Sequence, residues 1–129
     1  MDYTFNKTLR NISFEDALLK VTDELKKEGF GIITEIDVKE TFKKKLDVDF
    51  RKYKILGACN PAFAYKAIQE ESRIGAFLPC NVIIQENVKG ESEISVINPE
   101  ASMRSVNNEN LNGISAEIKS KLKKVIDQL

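Results

Sequence analysis

The sequence contains no histidine. That absence removes the Ser-His-Asp and Cys-His nucleophile systems and every histidine-based metal site. Cysteine is nearly as scarce, at two residues in 129. Two thiols make no disulfide framework, so a reducing cytoplasm is the expected location. There is no excess of either charge, 20 basic residues facing 20 acidic ones. Overall charge therefore draws the chain neither to nucleic acid nor to an anionic membrane. No apolar run approaches the roughly 20 residues of a membrane span. The opening Met1-Asp2-Tyr3 shows none of the charged, apolar and small-residue zones of a signal peptide, and none is expected. Internal repeats, low-complexity tracts and linkers are missing too, so one domain is expected over residues 1–129. With 42% hydrophobic and 31% charged residues, the composition is that of a chain with a buried core.

Residues 3–9 alternate, with Tyr3, Phe5 and Leu9 against Thr4, Asn6 and Thr8, and this period of two marks a strand. Ser13 precedes an amphipathic helix with Phe14, Ala17, Leu18, Val21 and Leu25 on one stripe, and Gly29 is placed to stop it in the left-handed conformation. Residues 30–38 read as a second strand, and 38–46 as a short surface helix carrying Lys43-Lys44-Lys45. Acidic residues interleave with these lysines, which favours a solvated face over an anion site. A third strand runs from Arg51 to Cys59, apolar on both faces in its second half. Asn60-Pro61 signals a helix start, with Asn60 as cap and Pro61 in the first turn of an alanine-rich helix. Cys80 to Gln85 and Ile94 to Ile97 form a hairpin, residues 99–110 read as a loop, and an amphipathic helix closes the chain. The order β-α-β-(short α)-β-α-β-β-α predicts an α+β fold with helices on a mixed sheet of about five strands.

The unusual residues concentrate between Lys54 and Val82, which holds both cysteines and two of the three prolines. Two turns, Gly57-Ala58-Cys59-Asn60-Pro61 and Leu78-Pro79-Cys80-Asn81, each set an asparagine beside a cysteine. Candidate ligand-binding residues are Gly57, Cys59, Asn60, Gly75, Pro79, Cys80 and Asn81. Four readings of these turns stay open. Both thiols can be small core hydrophobes, the common fate of free cysteine. They can line a small-molecule pocket with Asn60 and Asn81. Cys59, beside a helix N-terminus that favours thiolates, can serve a redox or nucleophilic enzyme, although no histidine is there to act as base. Finally, the pair can contribute to a metal site, but zinc takes four ligands and two cysteines supply half of them. No metal and no cofactor are expected, and no catalytic residue is assigned. Asn60 and Asn81 also have ordinary roles as cap and turn residues, and Gly57 and Gly75 as points of tight packing.

The run from Lys54 to Pro61, with Ala64, Ala67, Ile74-Gly75 and Leu78-Pro79-Cys80-Asn81, resembles the domain-of-unknown-function family numbered 302. The likeness extends over the leading strand, the first helix to Gly29-Phe30-Gly31, Asn98-Pro99, Met103 and the final helix. It implies a compact α+β cytoplasmic protein, a homodimer, and no established activity from which catalytic residues could be carried over. The family's motif residues fall here at Gly57, Cys59, Asn60, Pro61, Gly75, Leu78, Pro79 and Cys80. A homodimer also follows from the two apolar faces of strands three and four: helices on one face alone leave the other needing a partner. A nucleic-acid partner is not expected.

Overall fold

The computed structural model describes residues 2–129. Strand β1 (Thr4–Leu9) leads through helix α1 (Phe14–Lys27) to β2 (Gly31–Asp37), α2 (Val38–Leu46) and β3 (Tyr53–Cys59). Helix α3 (Pro61–Glu70) and a 3₁₀ segment (Ser72–Phe77) precede the hairpin of β4 (Cys80–Glu86) and β5 (Ser92–Ile97). Helix α4 (Pro99–Met103), two short 3₁₀ turns and α5 (Asn112–Asp127) complete the chain.

The five strands lie in the order β1-β5-β4-β3-β2, and every neighbouring pair is antiparallel. The α+β class and the element order agree with the sequence reading, but its mixed sheet is corrected to an antiparallel one. Parallel neighbours need a connection that crosses the sheet face and re-enters at the same end. Here α2 and α3 each return the chain to the adjacent strand in the opposite direction, whereas α1 joins β1 and β2 at opposite edges of the sheet.

Helix α1 begins where Ser13 Oγ accepts from the Asp16 N–H at 3.0 Å. It ends with Gly29 at φ +85° and the Phe30 N–H reaching back to the Leu25 carbonyl at 2.9 Å. This is the left-handed stop expected of that glycine. Its buried stripe of Phe14, Ala17, Val21 and Leu25 packs with Ile118, Leu122, Val125 and Ile126 of α5 over Leu56, Val82, Ile84, Ile94 and Val96 of the sheet. Burying each large aliphatic side chain contributes about 2 kcal/mol. A second, smaller cluster of Ala67, Ile74, Met103 and Leu111 ties α3 and the 3₁₀ segment to α4 and α5.

The opposite face of the sheet carries Ile36, Ile55 and Ile83, which stand side by side across β2, β3 and β4. Ser95 of β5 and Asn6 of β1 extend that row across the sheet. Ile36 is exposed, and Ile55 and Ile83 are half-buried. Helix α2 shelters the Tyr53 end, where Phe42 meets Phe50 edge-on at 5.1 Å and Phe50 leans on Tyr53. Two of the four lysines of α2 are ion-paired locally, Lys43 with Asp47 and Asp49 and Lys44 with Glu40. Among the described residues no helix is long and apolar enough to cross a membrane.

Candidate functional site at the two cysteine turns

The two turns meet at one end of the central strands. Ala58 and Cys80 face each other across the β3–β4 ladder, so Cys59, one residue on, enters the turn into α3 beside them. Gly57 lies within the same ladder, opposite Asn81 and flanked by Thr34 on β2. A β-carbon placed there would collide with Thr34 Oγ1 and would lie 2.6 Å from Pro79 Cγ. Thr34 is carried into that position by a bulge, the register shifting between Ile32 and Thr34. The absent side chain of Gly57 thus lets Pro79 settle against β3, and Pro79 in turn positions Cys80. The Leu78–Pro79 peptide is cis.

Cys59, Asn60, Pro79 and Cys80 line one cavity of about 30 Å³ with Phe30, Ala58, Phe63, Ala64, Ala67, Leu78 and Ile118. Apart from Asn60 and the two cysteines, the residues of this lining have apolar side chains, and the wall is almost wholly apolar. Cys59 is half-buried and Cys80 buried, and both are free thiols. Burial, and secondarily the neighbouring Cys59, push the Cys80 thiol up to about 11. Cys80 therefore stays protonated at neutral pH, because an apolar wall disfavours the thiolate and a second thiolate nearby repels it.

Asn60 departs from the sequence reading. It occupies the cap position of α3, but its side chain makes no cap hydrogen bond. Its amide instead donates to the Glu28 carbonyl at 3.4 Å, linking the start of α3 to the end of α1. A β-carbon on Gly29 would stand 3.0 Å from that amide, so Gly29 serves both the helix stop and this approach. Pro61 does occupy the first turn of α3.

Three candidate residues lie off the cavity. Gly57 packs on its outer side against Thr34 and Pro79. Asn81 is exposed on the open sheet face, because strand alternation points it away from Cys80. Gly75 sits in the 3₁₀ segment with no heavy atom within 4 Å of where its β-carbon would be, so no close approach requires it.

A larger cavity of about 340 Å³ opens between α4 and the start of α5, lined by residues including Glu100, Met103, Arg104, Asn107, Asn108 and Ser115. The loop reading of 99–110 conceals it. Asn98-Pro99 is the same helix-start signal as Asn60-Pro61, and Asn98 does cap α4, accepting from the Glu100 N–H at 3.2 Å. Several of its polar groups are held by the protein itself. Glu100 binds Lys119 at 3.1 Å, and the Asn108 amide donates to the Glu70 carbonyl at 3.0 Å. Among the described residues no cluster of three or more cysteine, aspartate or glutamate side chains is placed to hold a metal ion.

Comparison with known proteins adds a family and a fold. No curated protein matches the chain. A crystal structure of an uncharacterized conserved protein DUF302 from Bacillus stearothermophilus superposes with a TM-score of 0.91 at 26% identity, covering 99% of this chain and 98% of that one. The model of the family described as domain of unknown function DUF302 matches residues 5–129. With that match spanning the sheet, the helices and both cysteine turns, the chain belongs to the DUF302 family.

Proposed function

We propose that this protein is a homodimeric binding domain whose ligand site is the cleft between the Cys59 and Cys80 turns. The observation that carries the reading is the convergence of two turns, distant in sequence, on one apolar cavity. At about 30 Å³ it exceeds the roughly 10–15 Å³ that admits a water and falls far below the roughly 300 Å³ of an ordinary organic-ligand pocket. A ligand of one or two heavy atoms fits it. Xenon dissolved under pressure, a neutral single-atom probe, is expected to shift the methyl resonances of Ala58, Ala64 and Ile118 while leaving Val21 in the main core unmoved. Unchanged cavity methyls would end the binding reading.

The second half of the proposal concerns the open sheet face, and its occupant is a second copy of this chain. The row Ile36, Ile55 and Ile83 is continued by neutral Ser95 and Asn6, with the Glu93 carboxylate beside Ser95, so the row offers no cations for a nucleic acid or an anionic surface. A two-fold interface requires only self-complementarity, which aliphatic rows satisfy. Sedimentation of the full chain is expected to give twice the 14.6 kDa of one chain. Ile36→Glu, on an exposed side chain with little part in folding, is expected to halve that mass without altering the circular dichroism. A wild-type chain sedimenting as a monomer would refute this half.

The enzymatic alternative, nucleophilic or redox use of Cys59, gains no such support. The nearest amide, Asn60, is turned to Glu28, and the lining of the cavity contains no group that could act as a base.

A further inference from the structure

Resting on the binding reading of this cleft, we infer that Cys59 and Cys80 together hold one two-coordinate, thiol-seeking metal ion of the copper(I) and silver(I) class. Cys59 and Cys80 both line a cavity of single-ion size, about 30 Å³. The rest of the lining is too poor in donors for a harder or higher-coordinate cation, since it carries no carboxylate, Asn60 is its one amide side chain, and the chain has no histidine. Calcium and magnesium require oxygen ligands, and zinc in a closed site requires four donors. Thiolates select copper(I) among the biological metals, and monovalent d¹⁰ ions are satisfied by two of them.

The charge balance also fits the surroundings. Binding converts two thiols and one monovalent cation into a bis-thiolate complex of charge −1, with two protons released to solvent. That complex would sit beside the N-terminus of α3, a ten-residue helix whose side-chain cap bond is missing. Its unsatisfied N–H groups and positive dipole end offset the single negative charge. Half-buried Cys59 gives the ion a way in, and buried Cys80 receives it on the inner side.

The test is titration of reduced, full-length protein with silver nitrate in chloride-free buffer, and with copper(I) against a chromogenic competitor. One ion per chain is expected, with zinc failing to compete. Loss of an outer-shell partner already costs roughly 10–100-fold in metal affinity, so Cys59→Ser and Cys80→Ala should each lose about 100-fold or more. X-ray absorption of the wild-type silver complex should show two sulfur neighbours, a readout independent of how the variants fold. Unchanged affinity in either variant, one sulfur neighbour, or a ratio of one ion per two chains through Cys59 alone would each overturn the inference. Xenon binding without silver binding leaves the cleft standing and removes the metal; failure of both removes both.

Discussion

Gly57→Ala is expected to destabilise the fold by an amount at the upper end of the roughly 1–3 kcal/mol that overpacking costs. The added methyl meets Thr34 Oγ1 on one side and Pro79 Cγ on the other. The bulge in β2 holds the Thr34 backbone in place, so relief on that side requires its side chain to turn, and Pro79 has a rigid ring between the 3₁₀ segment and β4. Urea denaturation measures the loss, and two further variants locate it. Thr34→Ala in the Gly57→Ala background should recover part of the stability, since it removes the hydroxyl and leaves the proline contact. Gly75→Ala should stay within about 0.5 kcal/mol of wild type, as expected where a substitution meets nothing. Equal losses at the two glycines would show that Gly57 is not a packing requirement. Because Pro79 rests on Gly57 and also lines the cavity, Gly57→Ala should weaken xenon binding as well.

Alkaline pH is expected to destabilise the protein through Cys80. The folded state raises this thiol to about 11, mainly by burial and in part through Cys59. Between the ordinary thiol value near 8.5–9 and about 11, the unfolded chain loses this proton while the folded chain keeps it. The unfolded state then binds fewer protons, so stability falls as pH rises through this window. A shift of two units corresponds to about 3 kcal/mol once pH passes 11, and to about 2 kcal/mol at pH 10.5. Denaturation of reduced, metal-free protein at pH 8 and pH 10.5, compared between wild type and Cys80→Ala, isolates the effect. Lysine and tyrosine titration is common to both proteins and cancels in the difference. The variant should lose less stability than the wild type across this range. Identical losses would mean that Cys80 is not held protonated by the fold.

Local order was written plainly in the residues. Helix α1 follows from one apolar stripe, a serine cap and a glycine stop, all of them interactions within a few residues of chain. The strands follow from side-chain alternation, which depends on nothing distant. Longer-range contacts decide the remaining elements. Residues 99–111 lack a long apolar stripe, so their three short helical turns are held by contacts with α3 and α5 rather than by their own pattern. Asn60 looks like a cap because asparagine favours the cap position and proline the first helical turn; the Glu28 carbonyl that takes its amide lies 32 residues away.

Composition and residue periodicity were enough to establish a single α+β unit, the absence of histidine chemistry, and the place of both cysteines at strand ends. The sequence could not determine strand direction, because a helix of given length either crosses the sheet or folds back beside its own strand. Nor could it separate the candidate residues of the Cys59 and Cys80 turns. Alternation sent Asn81 to the open face, a bulge brought Thr34 against Gly57, and Gly75 was left in open space. Whether the two thiols meet depends on register between strands that are 20 residues apart in sequence. The ladder that sets Ala58 opposite Cys80 brings both turns to one end of the sheet, where Cys59 and Cys80 line the same cavity, because pairing register is fixed by burial across the whole sheet and not by residues within either turn.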